Sequence, residues 1–359
     1  MTATIQLPGT IQSKIEAGER LSADEGLELL KLENEEDIAE VGRLADLRRE
    51  KVVGDTVTFA STVMLYPTNL CELNCQFCSF YAKPGWKKAW FNTPDQVVDR
   101  IRPHVSELTE VHIVGGLWRE CNLDYYEELF TKIKGLDPKL HIKALTPVEY
   151  DFLAKMHNLS IEEVFRRMMS WGLDSLPGGG AEILVEEVRT KIAPGKISSG
   201  EFLAIHRLAH NLGLRSNITM LFDHIETEEH IIEHLMQVRN LQDETGGFKT
   251  FAPLKFGEED NALGKRKNRL KKKHIPLVYA VSRLMLDNIP NQKALWTYLG
   301  VDEALKVLDW GANDLSSTNV EEKVIQMAGG VQVKMNVETM SEMIRSKGRI
   351  PRLTNSKDV

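Results

Sequence analysis

The sequence has little cysteine, no long apolar run and no excess of positive charge. Only four of its 359 residues are cysteine, too few for the disulfide framework of a small secreted protein. Apolar runs stop well short of the ~20 residues of a membrane-spanning helix, and residues 1–10 lack a basic start followed by an apolar stretch. The net charge of −7 creates no general attraction for nucleic acid or anionic lipid. We therefore expect a cytoplasmic protein that acts on a small molecule, with no nucleic-acid or membrane partner.

The chain divides into a charged helical preface and a long alternation of strands and helices. Apolar residues at helical spacing predict a short N-terminal helical extension over residues 1–55. Short apolar runs then alternate with amphipathic segments, which is typical of βα units around a parallel sheet. This pattern predicts an α/β fold, a (β/α)8 TIM-type barrel over residues 56–330, although an incomplete barrel would give almost the same pattern. Residues 331–359 are expected to form a C-terminal helix and a polar, frayed tail.

Eight candidate strands support this barrel, the last two of them weakly marked. They cover residues 62–67, 111–115, 141–145, 174–178, 215–221, 249–254, 293–298 and 307–310. Because parallel strands of such a barrel point the same way, the loops that follow them meet on one face. Functional residues are therefore sought directly after the strands.

Three of the four cysteines follow the first candidate strand with the spacing C-x3-C-x2-C, at Cys71, Cys75 and Cys78. Three thiolates can bind three irons of a [4Fe–4S] cube and leave the fourth iron open for chemistry. A structural zinc site would need a fourth ligand, from Cys121 or a nearby histidine. The spacing favours the open cluster, with zinc and an electron-transfer cluster as weaker alternatives.

The cysteine loop, with aromatic Phe77 before the third cysteine, resembles the signature of the radical S-adenosylmethionine (SAM) superfamily. Three longer strings, VHIVGG (111–116), LDSLPGGGAEIL (173–184) and LQDETGGFKTFAPL (241–254), are similar to the aminodeoxyfutalosine synthase family of menaquinone biosynthesis. The resemblance extends over roughly residues 19–350. It implies a [4Fe–4S] cluster whose open iron chelates SAM, and a reducing electron donor of the flavodoxin or ferredoxin type.

The resemblance also implies a reaction. Family members add the 5′-deoxyadenosyl radical to 3-[(1-carboxyvinyl)oxy]benzoate, with loss of carbon dioxide, and form 6-amino-6-deoxyfutalosine. The alternatives are the related dehypoxanthine futalosine cyclase chemistry, another radical SAM carbon–carbon bond formation, or a non-catalytic iron–sulfur or zinc scaffold. Two departures from the family pattern bear on the substrate: Trp118-Arg119 replaces His-Pro, and Asp223 replaces a glycine.

The candidate SAM contacts follow strands two, three and four. Gly115 and Gly116 leave room for a ligand beside the backbone, and the resemblance implies that carbonyls here contact the SAM amino group. Glu182, at a helix start after three glycines, suits the ammonium or ribose hydroxyls of SAM. Glu149 is either a ribose acceptor or a first-turn helix carboxylate. Phe77 completes this set.

The candidate substrate contacts are less specific. Asn217 and Thr219 share one face of the fifth candidate strand, because side chains alternate along a strand, and polar residues there suggest a ligand-lined interior. Trp118 could floor a pocket, and Arg119 supplies a guanidinium to a substrate that carries carboxylates. Lys143 and the basic run 265–273 are further candidates for carboxylate binding.

Overall fold

The computed structural model describes residues 6–266, 273–318 and 335–356. In chain order the strands are β1 (Thr56–Ala60), β2 (Thr62–Leu65), β3 (Glu110–Ile113), β4 (His141–Ala144), β5 (Leu173–Leu176), β6 (Arg215–Phe222), β7 (Phe248–Lys255), β8 (Asn291–Gln292), β9 (Asp314–Ser317) and β10 (Ile350–Thr354). Seven of them, β2 to β8, form a parallel sheet in chain order, and β1 lies between β10 and β9 in a second sheet.

Helices follow most strands and cover the outside of the sheet. The described helices are α1 (Gly9–Ala17), α2 (Ala23–Leu30), α3 (Glu35–Val53), α4 (Pro94–Ile101), α5 (Leu123–Leu136), α6 (Pro147–His157), α7 (Ile161–Ser170), α8 (Glu186–Ile192), α9 (Ser199–Asn211), α10 (Glu228–Thr245), α11 (Ile275–Met285), α12 (Trp296–Leu299), α13 (Val301–Lys306) and α14 (Val337–Ser346), with 3-10 turns at Val105–Glu107 and Val307–Trp310. None of the described helices is long and apolar enough to cross a membrane.

Side-chain alternation along the strands separates the apolar core from a polar interior. In β3, Val111 and Ile113 join the hydrophobic core, whereas Glu110 and His112 line an internal cavity. A parallel sheet covered by helices on its outer face produces this division, because successive side chains point to opposite faces. The polar interior is thus built into the strands.

The half-barrel is closed by the second sheet. A parallel bridge joins Lys293 to Asp314 of β9, and β9 pairs with β1, which leads directly into β2. On its other side β1 pairs with β10 over Thr56–Ala60 and Ile350–Thr354. The strands at the two ends of the described chain therefore meet at the amino-terminal end of the barrel.

The structure confirms an α/β barrel but corrects its last strands. Within the described residues the main parallel sheet has seven strands rather than eight. Of the segment 293–298, only Lys293 pairs as a bridge, and α12 begins at Trp296. Residues 307–310 form a 3-10 turn, and the strands are Asn291–Gln292 and Asp314–Ser317. In the tail expected to fray, Ile350–Thr354 form β10 instead, and residues 357–359 lie outside the described residues. The predicted boundary at 330/331 and the basic residues 267–272 lie outside the described residues.

Candidate active site

The cysteine loop leaves the carboxyl end of β2 and is fixed by a single lysine. Lys83 Nζ donates hydrogen bonds to the carbonyl oxygens of Cys71, Glu72 and Leu73 at 2.8, 2.8 and 3.0 Å. An ammonium has three donors, so all three are used on consecutive carbonyls. This arrangement fixes the backbone direction at the first cysteine.

The three cysteines of the loop form no disulfide and lie close enough to affect one another electrostatically. Burial raises the pKa of Cys75 to about 11, a shift that the Lys196 ammonium opposes. Burial also raises the pKa of Cys78, although the Tyr81 amide donates to its Sγ at 3.4 Å. Binding of iron by these cysteines would require thiolates and so would displace these protons.

The loop suits a cluster better than a single ion. Among the described residues, no three His, Cys, Asp or Glu side chains converge closely enough to hold one metal ion. In a [4Fe–4S] cube each thiolate binds a different iron, so the sulfur atoms need not converge on one point. Cys121 lies instead in the segment before α5, where burial raises its pKa to about 12.

Gly116, three residues after the end of β3, packs directly against the cysteine loop. Its amide donates to Thr68 O at 2.9 Å, and a Cβ on Gly116 would lie only 2.0 Å from Leu70 O and 3.1 Å from Cys71 Cβ. Any side chain at this position would push the cysteine loop away. Backbone of β3 is therefore held beside the first cysteine, where a ligand of the cluster would approach it.

Glu149 ties this β3 end to the start of α6. Its Oε1 accepts the Gly115 amide at 3.0 Å, and its Oε2 accepts the Thr146 amide at 2.7 Å. Burial outweighs these hydrogen bonds and raises the pKa of Glu149 to about 7. Both carboxylate oxygens already have backbone partners, so the geometry favours a positioning role for Glu149 over direct contact with a ribose.

Glu182 and Phe77 meet through a lysine that the sequence did not single out. Glu182 adopts a φ of 49° and forms a buried ion pair with Lys196. Lys196 Nζ also lies 5.3 Å from the centre of the Phe77 ring. The attraction of Glu182 and Cys75 outweighs burial and raises the pKa of Lys196. A charged pair thus lies directly beside the cysteine loop.

Trp118 and Arg119 lie outside the barrel cavity. Trp118 Nε1 is buried without a hydrogen-bond partner in the described part of the chain, beside Cys121 and Glu149. The Arg119 side chain is 80% exposed and donates to Glu72 Oε1 at 3.2 Å. The structure therefore places this guanidinium on the outer side of the cysteine loop.

The inward faces of the strands enclose a cavity of about 220 Å³. Asn217 and Thr219 both line it, and Thr219 Oγ1 donates to Gly178 O at 2.8 Å. The apolar wall consists of Met64, Tyr66, Val114, Ala252, Leu254 and Leu295. The polar wall includes Thr62, Glu110, His112, Lys143 and Lys293. Such a cavity can hold a flat apolar group with an anionic substituent.

Four charged residues of the site were missed by the sequence analysis: Lys83, Glu110, Lys196 and Lys293. Lys83 and Lys196 stand in irregular loops, where no periodicity indicates direction. Glu110 begins a strand whose alternation with His112 could have marked it as inward-facing. Lys293 begins the weakly marked segment 293–298, for which the sequence analysis assigned no inward-facing side.

A parallel half-barrel whose β2 leads into a three-cysteine cluster loop defines a radical SAM enzyme. The sequence matches the radical SAM superfamily over residues 65–238 and the CofH/MqnC C-terminal region over residues 245–358. The chain therefore belongs to the radical SAM superfamily and, within it, to the enzymes with this C-terminal region. The [4Fe–4S] cluster and SAM expected from the sequence are confirmed as the cofactors of this family.

Similar proteins carry two different names. The chain is 38% identical over 349 residues to the aminodeoxyfutalosine synthase of Thermus thermophilus, which covers 95% of this chain and 92% of the relative. It is 35% identical over 346 residues to the 5-amino-6-(D-ribitylamino)uracil–L-tyrosine 4-hydroxyphenyl transferase of Methanococcus maripaludis, covering 94% and 96%. The solved structure of methylornithine synthase matches with a TM-score of 0.75 at 17% identity, covering 95% of this chain and 97% of that one. This structural likeness confirms the fold.

Proposed function

We propose that the chain is an aminodeoxyfutalosine synthase. It joins the 5′-deoxyadenosyl group to the vinyl carbon of 3-[(1-carboxyvinyl)oxy]benzoate, with loss of carbon dioxide, and forms 6-amino-6-deoxyfutalosine for menaquinone biosynthesis. The relative from Thermus thermophilus, at 38% identity, supports this reaction. The proposal includes a cytoplasmic location and a flavodoxin- or ferredoxin-type electron donor.

The observation that carries the proposal is the chemistry of the barrel cavity. Apolar side chains such as Met64 and Leu254 can cover an aromatic ring, while Lys293 brings an ammonium group to the same cavity. The proposed substrate has a matching form, an aromatic ring with two carboxylates. A site inside a barrel can exclude water when substrate is bound, and this would protect a reactive species from side reactions.

The geometry described above supports the proposed cofactor sites. When bound, the cluster and SAM supply the 5′-deoxyadenosyl radical. Cys71, Cys75 and Cys78 would hold the cluster, and the backbone at Gly115 and Gly116 would contact the SAM amino group. Beside them, Phe77, Glu149 and Glu182 complete the proposed SAM site. Asn217 and Thr219 would contact the substrate, whereas Trp118 and Arg119 border the loop from outside.

The hydroxyphenyl transferase reaction is the second candidate, because a relative with that name is 35% identical. Tyrosine would bring an ammonium as well as a carboxylate, and an ammonium needs an acceptor in the cavity. The cavity-lining carboxylate of Glu110 already forms an ion pair with Lys143. This engagement favours a substrate that is anionic only.

Product analysis separates the two reactions. Reconstituted enzyme is reduced anaerobically with SAM and either the carboxyvinyl benzoate or tyrosine plus 5-amino-6-(D-ribitylamino)uracil. We expect an adenosyl adduct of the first substrate, detected by mass spectrometry together with carbon dioxide release, and no coupling of the second pair. Free 5′-deoxyadenosine without an adduct would contradict the proposal. The Cys71→Ala variant is the control for reactions that do not need the cluster.

A further inference from the structure

The amino-terminal end of the barrel, which we call the floor, concentrates charge beneath the cavity. Five charged side chains border the cavity or the small pocket below it: Glu110, Lys143, Lys249, Lys293 and Asp314. Three are cationic and two are anionic. Buried charge is costly unless it is paired, so the pairing of each lysine decides what this floor can bind.

Lys143 is paired within the protein, which uses two of its three hydrogen-bond donors. It forms a buried ion pair with Glu110, in which the two side chains are 4% and 3% exposed, and its Nζ also donates to Ser356 Oγ at 3.0 Å. Glu110 Oε2 in turn accepts the Ser356 amide and hydroxyl at 2.7 and 2.6 Å. Lys143 and Glu110 therefore close a network in which neither charge is left for a ligand.

Lys293 differs from Lys143 because its partner is distant. Its Nζ lies 3.6 Å from Asp314 Oδ1, beyond hydrogen-bond distance, and it makes no hydrogen bond to another described residue. Asp314 has donors of its own, the Ser316 amide at 2.6 Å and Thr58 Oγ1 at 3.1 Å. Lys293 thus brings a cavity-lining ammonium whose hydrogen-bonding capacity is unused.

His112 offers a second unused group on the same cavity wall. Its Nε2 is buried and has no hydrogen-bond partner within the described ranges. In the sheet, His112 of β3 lies opposite Lys143 of β4, and burial together with the Lys143 charge lowers its pKa well below the usual value. The neutral imidazole can donate one hydrogen bond to an anion.

We propose that Lys293 and His112 bind the ring carboxylate of the aromatic diacid, and so determine which substrates the barrel accepts. This inference rests on the proposed function. The reacting vinyl group must lie at the cysteine-loop end, where the cofactors bind, whereas Lys293 stands at the floor. The carboxylate on the far side of the ring is therefore the one that reaches Lys293, while apolar side chains of the cavity lining, such as Leu254, would cover the ring.

The proposed role of Lys293 is tested by comparing wild type and Lys293→Met, each with a ligand that has the ring carboxylate and with one that lacks it. Binding of 3-[(1-carboxyvinyl)oxy]benzoate and of 2-phenoxyacrylate, which lacks the ring carboxylate, is measured by calorimetry on reconstituted, unreduced enzyme with SAM. Loss of a hydrogen bond to a charged group predicts that Lys293→Met binds the diacid on the order of 10- to 100-fold more weakly. The variant should bind 2-phenoxyacrylate as the wild type does, which also shows that its cavity is intact.

Two further variants sharpen the test. Lys293→Arg keeps the charge and should retain diacid binding within about threefold, since a guanidinium can also bind a carboxylate. Lys306→Met, which removes a lysine that is 52% exposed on α13, is the matched control and should leave both affinities unchanged.

The outcomes distinguish this inference from the proposed function. Equal diacid affinity of wild type and Lys293→Met would overturn the inference, as would equal weakening of both ligands. A wild type that binds the diacid without forming an adduct would overturn the proposed function, while the Lys293 comparison would still decide the inference. A wild type that binds neither ligand would overturn both.

Discussion

The two ends of the barrel are organised by different forces. At the cysteine-loop end, contacts of the backbone dominate. Lys83 donates hydrogen bonds to three backbone carbonyls, and the absence of a side chain at Gly116 allows the segment after β3 to pack against the loop. At the floor, side-chain charges dominate, in the Glu110–Lys143 pair and the looser Lys293–Asp314 pair. Barrel enzymes place their chemistry at the carboxyl ends of the strands. In this protein the floor adds two functions to that plan. The Glu110–Lys143 pair stabilises the barrel, and Lys293 is the proposed binding group.

The largest effect is expected at the cysteine-loop end, where single substitutions should abolish cluster assembly. Cys71→Ala, Cys75→Ala and Cys78→Ala should each abolish cluster assembly, because three thiolates are needed to hold the cube. Iron content and visible absorption after anaerobic reconstitution measure this. Cys121→Ala is the matched control, since Cys121 is also buried but lies before α5. Loss of the cluster in the control would refute the three-cysteine site.

The next largest effect is a loss of folding stability when the charge pair at the floor is broken. Lys143→Met should destabilise the protein by about 3–5 kcal/mol, because it leaves the buried Glu110 carboxylate without its cation. Denaturant unfolding gives the change. Lys155→Met removes a 70% exposed lysine paired with Asp151 and should cost no more than about 1 kcal/mol. Equal losses in the two variants would contradict a charge-dominated floor, and adding Glu110→Gln to Lys143→Met should restore part of the stability.

A smaller effect is the pH dependence of the free energy of unfolding, which should have opposite signs for a carboxyl group at each end of the barrel. Burial raises the folded-state pKa of Glu149 from 4.5 to about 7, so between these values the folded protein holds a proton that the unfolded chain has lost. This carboxyl therefore lowers stability as pH rises through that window, by up to about 3 kcal/mol. The Lys143 charge lowers the pKa of Glu110 despite burial, so stability from Glu110 is lost only as pH falls below 4.5.

Unfolding free energies measured from pH 4 to 8 test this difference. Subtracting the Glu149→Gln profile from the wild-type profile isolates the Glu149 contribution, which should fall as pH rises and then level off. The corresponding difference for Glu110→Gln should be flat above about pH 5 and should fall only at the acidic end of the range, as the unfolded chain takes up a proton. A flat difference for Glu149 would show that its two backbone hydrogen bonds keep the pKa near the ordinary value.

The smallest effect concerns Arg119. The sequence suggested substrate binding, but its side chain is 80% exposed and pairs with Glu72. Arg119→Ala and Arg119→Lys should therefore change stability by no more than about 0.5 kcal/mol and leave the substrate KM within about twofold. Steady-state formation of the adenosyl adduct measures the KM. A clear rise in both variants would instead place the guanidinium in the substrate site.

Much of the barrel could be predicted because its strands are short apolar runs. β2 to β7 lie where those runs predicted them, within a few residues. The prediction failed at β9, whose sequence DLSS has only one apolar residue, because its side chains meet a polar interior. It also failed at Trp296–Leu299, where aromatic residues that favour strands form a helical turn.

Within the site, spacing located the cysteines and the glycines, but not the lysines that organise them. The cysteine spacing predicted the loop because iron dictates which residue types are needed. The contribution of a lysine depends on where its side chain points. For Lys83, Lys196 and Lys293, which stand outside regular strands and helices, the sequence does not indicate that orientation. Long-range contacts such as Lys293 with Asp314 depend on how the barrel closes, which local sequence does not determine.

The pairing of β1 with β10 has a consequence for the order of folding. Thr56 lies opposite Ile350, so this contact joins residues separated by nearly the whole described chain. Contacts between such distant residues form slowly, because the long intervening loop must first be ordered. During synthesis β1 emerges early and has no strand partner on either side until β9 is made, and its second edge stays open until β10 follows. The floor is therefore expected to assemble last, and until then the edge of β1 is exposed to pairing with other chains.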